Sequence, residues 1–235
     1  MNVAVIPARG GSKRIQNKNM KLFCGTPIIK YSIDVAIQSG IFDKIIVSTD
    51  NDEIAKYSED NGADVPFIRP ANLSDDFSSV NDVIVHAAKW MLEKGWSTKV
   101  VCCLYATAPM IKPENIIEGL NILVKGDWDF VLTAGRFNSN INRSFNLNEA
   151  GQIKMLFDEN NFFKRSQDLQ ELYFDAAQFC FGWISSWLKK NNVYSSKTTI
   201  LKIAEERVVD IDTTDDWRLA ELKYNLLYKN IERSI

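Results

Sequence analysis

The chain has 235 residues, 46% of them hydrophobic and 25% charged, with a net charge of −2 at pH 7. That balance supplies enough apolar material for a sizeable core, excludes a disordered chain and fits the size of one α/β domain. It also excludes a broad basic face for nucleic acid, and no run of about 18 apolar residues offers a membrane span.

Residues 3–6 read as a short apolar strand ending in a Gly-rich turn. No basic and long apolar leader precedes them, so a cytoplasmic protein is expected. Thr26 and Pro27 have the form of an N-cap and a first helical position, opening a helix that stops near Gly40. Residues 44–48 read as a second strand ending at Thr49 and Asp50, and residues 52–61 as a helix closed by Gly62. Residues 65–68 suggest a third, short strand. Residues 79–94 suggest a helix closed by Gly95. Residues 99–105, rich in Val and Cys, suit the buried middle of a parallel sheet. Pro113 opens a helix ending near Gly126, and residues 130–134 form a further strand.

The rhythm breaks at about 135–166, where asparagines and irregularly placed aromatics predict an excursion from the sheet, a lid or an arm. Residues 172–183 return to an aromatic strand pattern, and residues 199–203 and 208–212 read as two more strands. Thr213, with Asp216 three residues on, predicts a capping box for a last helix from 215 to about 231. The expected fold is one α/β domain over residues 1–235, with a mostly parallel sheet and right-handed crossovers.

In such sheets ligands bind beyond the carboxyl ends of the strands. Residues 1–33 hold no Asp or Glu but carry Arg9, Lys13, Arg14, Lys18, Lys21 and Lys30, which suggests a polyanion site. Gly10 and Gly11 let the backbone approach a phosphate and offer it N–H groups, Arg9 can fork onto it, and Lys13 and Lys18 act as point charges. The spacing is neither a Walker A loop nor a dinucleotide fingerprint. Asp210 and Asp212, two apart on an expected strand, would share one side and favour a cation such as Mg²⁺ between them. The plainer alternative has Asp212 helping to cap the last helix. Asp50 either assists nucleotide binding or starts a turn. Arg69-Pro70 and residues 104–109 look like ordinary loops by composition. His86 could be a general base, though a helix-packing role is favoured. Cys24, Cys102, Cys103 and Cys180 form no Cys-x-x-Cys pair and read as reduced thiols.

Taken together, Ile6 to Arg14 with Lys18-Asn19, Val47 to Asp50, Arg69-Pro70, Thr107 with Pro109, and Asp210 to Thr213 resemble the cytidylyltransferases that activate sialic acid and its bacterial relatives. The resemblance covers nearly the whole chain. It implies a Rossmann-like, three-layer α/β/α nucleotidyltransferase fold and a homodimer in which the 135–166 excursion reaches the partner subunit. The strings 104–109 and 173–179 are similar to the branch that activates pseudaminic acid, with Tyr105 where sialic acid enzymes carry Gln.

By that resemblance, Arg9, Gly10, Gly11, Ser12, Lys13, Asn19, Arg69 and Thr107 bind CTP. Lys18, Arg9 and Asp212 are catalytic, and Asp210 and Asp212 hold Mg²⁺. Tyr105, Arg165 and Gln178 meet an acidic nine-carbon sugar. Sialic or legionaminic acid as acceptor, a sugar-transferring enzyme that uses a nucleotide sugar, and a nucleotide-binding module without turnover are the alternatives.

Overall fold

The computed structural model describes residues 1–75 and 78–229. Its first strand, β1 (Asn2–Pro7), has four fully buried residues, Val3 to Ile6. Successive side chains leave opposite faces of the sheet. Ala4 and Ile6 therefore enter one core and Val3 and Val5 another. This is why an unbroken apolar run marks a central strand. A two-residue hairpin follows, β2 (Leu22–Phe23) and β3 (Thr26–Pro27), turning at Cys24 (φ 48°) and Gly25 (φ 99°). Positive φ at both turn positions is the geometry of a type I′ hairpin. The expected cap is thereby corrected. Thr26 belongs to the hairpin, Pro27 precedes the helix, and no side chain caps α1 (Ile28–Ser39). Gly40 ends that helix in the left-handed region, as its position in the sequence predicts.

β4 (Lys44–Ser48) pairs in parallel with β1, and Asn51 caps α2 (Asp52–Asp60) by accepting from the Ile54 N–H. Residues 65–68 form no strand. Isolated bridges join Ile46 to Asp64 and Thr49 to Ile68, and Pro66 between them has no N–H to continue a ladder. Then come α3 (Val80–Glu93), capped by Ser79, and β5 (Val100–Leu104), buried throughout and parallel to β1. α4 (Pro113–Lys125) leads to β6 (Phe130–Arg136).

The chain then leaves the sheet. A short hairpin, β7 (Phe145–Leu147) and β8 (Ile153–Met155), and three 3₁₀ turns occupy residues 141–168. The chain returns as β9 (Tyr173–Trp183), wedged antiparallel between β5 and β6. α5 (Ile184–Leu188), β10 (Thr198–Lys202) and α6 (Thr214–Tyr228) complete it. The predicted end of the last helix near residue 231 lies outside the described residues.

The sheet order is β10-β6-β9-β5-β1-β4. α1 and α4 pack together on one face, and α3 and α5 on the other. This is the predicted three-layer, mostly parallel arrangement. Strands β4 and β5 flank β1 on opposite sides, so the winding reverses there, and such a reversal opens a crevice at the strand ends. A third, smaller core lies beside that crevice. Ile15, Phe23 and Ile28 meet Ile211, Trp217 and Ala220. This cluster clamps the end of the chain onto the loop that follows β1.

Residues 208–212 are not a strand. Val208 and Ile211 are buried anchors, and the Val208 carbonyl accepts from Lys223 Nζ at 3.1 Å instead of from a neighbouring strand. The apolar spacing that suggested a strand is the spacing of these anchors. Among the described residues, no helix is long and apolar enough to cross a membrane.

Candidate active site

A cavity of about 280 Å³ lies at the reversal point. The end of β1 contributes Pro7 and Arg9, the following loop Ser12, Lys13, Arg14, Lys18 and Asn19, and the end of β5 Tyr105 and Thr107. Arg69 and Asp212 close it. Four cations thus converge on one space, from a stretch of sequence without an acid. Such a site concentrates positive potential and suits a triphosphate.

The loop is held by its own polar groups. Asn19 Nδ2 donates to the Arg9 carbonyl at 2.9 Å, and Arg9 Nη1 to the Asp75 carbonyl at 2.6 Å. Gly10 N–H donates to Asp50 Oδ1 at 2.8 Å, and a Cβ on Gly10 would lie 2.9 Å from Asn51 Cβ. Gly10 is therefore required by close packing against the end of β4. This corrects the reading that both glycines offer N–H groups to phosphate, since that of Gly10 is spent on Asp50. Neither Gly10 nor Gly11 lines the cavity. Asp50 lies behind the loop and is not among the cavity's lining residues. It braces the loop and faces the buried Arg69, 3.8 Å from Nη2. Burial lowers the Arg69 pKa, with Asp50 opposing, and its Nη2 has no hydrogen-bond partner.

Lys18 and Asp212 line the cavity, whereas Asp210, two residues before Asp212, is not among its lining residues. Asp212 Oδ2 accepts from Arg14 Nη1 at 2.6 Å, and its Oδ1 lies 3.6 Å from Lys18 Nζ. Burial lowers the Lys18 pKa, and Asp212 and Asp210 pull it back up. The Asp210 carboxyl is raised, first by the protein packed around it and then by the Asp212 charge, although its side chain reaches solvent. The backbone of Asp212 is fixed by the capping box of α6. Asp216 Oδ2 accepts from the N–H groups of Asp212 and Thr213, and Thr213 Oγ1 accepts from the Asp216 N–H. Asp212 does not itself cap the helix: only its backbone N–H joins the capping box, while its carboxylate faces Arg14 and Lys18.

Other predicted residues stand elsewhere. Gln178 is buried behind the site, its Nε2 donating to the Arg207 carbonyl at 2.7 Å, and lines no part of the cavity. Its long side chain satisfies a loop carbonyl, which sequence spacing cannot reveal. Arg165 is exposed on the excursion and does not reach this cavity. His86 packs edge-on against Phe67 at 4.8 Å, also outside the cavity, consistent with the packing role. Among the described residues, no group of three or more His, Cys, Asp or Glu gathers as a metal site. The pair Asp210 and Asp212 stands alone.

Sequence reasoning missed Asp75 and Ser78, which also line the cavity. In the sequence these two polar residues carry no signal beyond that of a surface turn. A second cavity of about 220 Å³ adjoins the first, sharing Tyr105 and Val80. Asp175, Cys103, Trp187 and Tyr194 also line it, with no lysine or arginine among its lining residues. Tyr194 O–H donates to Asp175 Oδ2 at 2.7 Å. All four cysteines are free thiols, three of them buried.

The family model for cytidylyltransferases matches residues 3–232. A pseudaminic acid cytidylyltransferase of Campylobacter jejuni is 38% identical over 229 residues, covering 97% of this chain and 98% of that protein. An N-acylneuraminate cytidylyltransferase of Streptococcus agalactiae is 30% identical and covers 92% of this chain and 51% of that protein. A CMP-N,N'-diacetyllegionaminic acid synthase of Legionella pneumophila is 28% identical, covering 93% and 94%. Among solved structures, CMP:2-keto-3-deoxy-manno-octonic acid synthetase complexed with CTP superposes with a TM-score of 0.68 at 15% identity, over 97% of this chain and 99% of that one. At that identity the likeness concerns the fold.

Proposed function

Because the chain belongs to the cytidylyltransferase family, we propose that it transfers CMP from CTP to the anomeric hydroxyl of a nonulosonic acid, pseudaminic acid foremost, and releases pyrophosphate. The observation that carries this reading is the pair of adjoining cavities, one lined by Arg9, Lys13, Arg14 and Lys18, the other free of cations, meeting at Tyr105. The first suits a triphosphate. The second suits the uncharged, polar and apolar substituents of a sugar, whose carboxylate would point back to the cationic side.

In this reading Arg9, Ser12 and Lys13 bind the β- and γ-phosphates, while Asn19 and Arg69 fix the loop and the nucleotide beside Thr107. Lys18 faces the α-phosphate. The anomeric hydroxyl loses its proton to solvent as its oxygen forms a bond to the α-phosphorus, the bond from that phosphorus to the α–β bridging oxygen breaks, and pyrophosphate carries the electron pair away. The protein supplies placement and charge and forms no covalent bond. Lys18 compensates the negative charge that grows on the oxygens of the reacting phosphorus.

Asp210 and Asp212 fit Mg²⁺. They are two hard oxygen donors, the charge of Asp212 helping to raise the Asp210 carboxyl, beside a site for phosphates, and one or two carboxylates plus phosphate is the usual Mg²⁺ environment. Bound there, Mg²⁺ would supply Lewis-acid polarisation of phosphate and acceptor oxygens. A homodimer is supported by the excursion, which leaves Phe145, Leu147, Ile153, Leu156, Phe162 and Phe163 exposed. Three buried free thiols and the need for CTP favour the cytoplasm.

Pyrophosphate release from CTP, with pseudaminic, N-acetylneuraminic and legionaminic acids offered separately and with EDTA as a further arm, tests the reading. Release with pseudaminic acid, abolished by EDTA and restored by Mg²⁺, is expected. Release with N-acetylneuraminic acid alone would move the acceptor to the sialic branch. Release with none of them, or with legionaminic acid alone, would overturn the pseudaminic assignment.

A further inference from the structure

Both oxygens of Asp212 already face cations of the chain itself: Arg14 at 2.6 Å on Oδ2 and Lys18 at 3.6 Å on Oδ1. Of the two, Arg14 is the movable one. Its side chain is 69% exposed, against 18% for Lys18, and it sits on the turn that lines the phosphate cavity. A divalent ion bonds a carboxylate oxygen at about 2.0–2.1 Å. A guanidinium at Oδ2 repels such an ion and occupies its approach. An exposed pair of this kind is weak, however, so it yields readily to a stronger competitor. A triphosphate is one, because its oxygens match the guanidinium fork.

We propose that Arg14 is an internal cation that holds Asp212 until a metal–CTP complex arrives, and then exchanges Asp212 for the triphosphate. The inference rests on the Mg²⁺ reading of Asp210 and Asp212. It goes further by giving Arg14 a role and an order: the divalent ion enters with the nucleotide, not before it. The exchange breaks one ion pair and forms another, with no change in bonding or protonation.

The test uses the full-length protein and Mn²⁺ as the probe, read by loss of the free-ion paramagnetic resonance signal, with and without CTP and with no sugar present. Without CTP, Arg14→Gln should bind Mn²⁺ about two- to fivefold more tightly than the wild type, the scale of one exposed ion pair removed. With CTP, the sign should reverse, and the same variant should bind the Mn²⁺–CTP complex about tenfold less tightly, since a charge-assisted phosphate contact is gone. Arg14→Lys should restore most of both effects.

In an Asp212→Asn background the gain without CTP should vanish, because there is no carboxylate left to uncover. A thermal melt confirms that the variants are folded. Equal or weaker Mn²⁺ binding by Arg14→Gln without CTP would overturn the role of Arg14. If neither protein takes up Mn²⁺ beyond what CTP itself holds, and turnover persists in EDTA, the metal reading falls and the inference falls with it. If metal is taken up with CTP but Arg14→Gln changes nothing, only the inference falls.

Discussion

Lys18 lies where burial and two carboxylates pull in opposite directions. Burial dominates and sets its pKa below the ordinary 10.5. A triphosphate favours the charged form, so CTP binding raises that pKa and takes up a proton in the alkaline range. CTP affinity should therefore fall as pH rises through the lowered value of the free protein, with the onset below pH 10.5. KM for CTP measured against pH checks this. Lys18→Arg, whose guanidinium stays charged, should remove the alkaline rise. Lys18→Ala should lower kcat on the order of 10²-fold at pH 8, the scale of one lost electrostatic group. Full kcat in Lys18→Ala would end its catalytic assignment.

At this scale the sequence was informative about charge and silent about partners. Six cations without an acid among residues 1–33 announce the site. Nothing in that run says that Gly10 serves Asp50 or that Gln178 turns to Arg207, because those contacts join residues 40 and 29 positions apart.

Elements were legible where one period dominates. β1, β4, β5 and α4 stand where their apolar runs and caps place them, whereas the two failed strands, 65–68 and 208–212, have apolar residues held by tertiary anchors. β9 illustrates the limit from the other side. Its strand pattern was plain, but its direction depends on how the chain returns from the excursion, which composition does not encode.

The strand also carries a local strain. Ala177 has φ 49°, beside a register shift in the pairing with β6, and its N–H donates to Asp175 Oδ1 at 2.8 Å. A Cβ in that region costs energy that glycine avoids. Ala177→Gly should stabilise the protein by about 0.5–1 kcal/mol, raising Tm by roughly 1–4 °C for a chain of this size. Scanning calorimetry reads the shift, and a lower Tm would show that the bulge is held open without strain.

At the scale of the whole molecule, Arg165 is a predicted sugar-binding residue that does not line its own cavity. Arg165 stands on the excursion, next to Phe162 and Phe163, the latter 89% exposed. An arm with so much uncovered apolar surface calls for a partner, and in a twofold dimer an arm that crosses would bring Arg165 to the other subunit's site. Two consequences separate this from a loop that merely happens to be apolar.

Phe162→Ser with Phe163→Ser should shift sedimentation toward the monomer and make specific activity fall on dilution. Subunits carrying Lys18→Ala and Arg165→Ala, each nearly inactive alone, should regain activity when mixed. Random pairing makes half the dimers mixed, and each mixed dimer holds one site with both residues intact. The mixture should therefore reach roughly a quarter of wild-type activity. If dimers exchange and activity stays at the level of the parents, each subunit uses its own Arg165 or none. The arm would then be a contact surface without a part in the site.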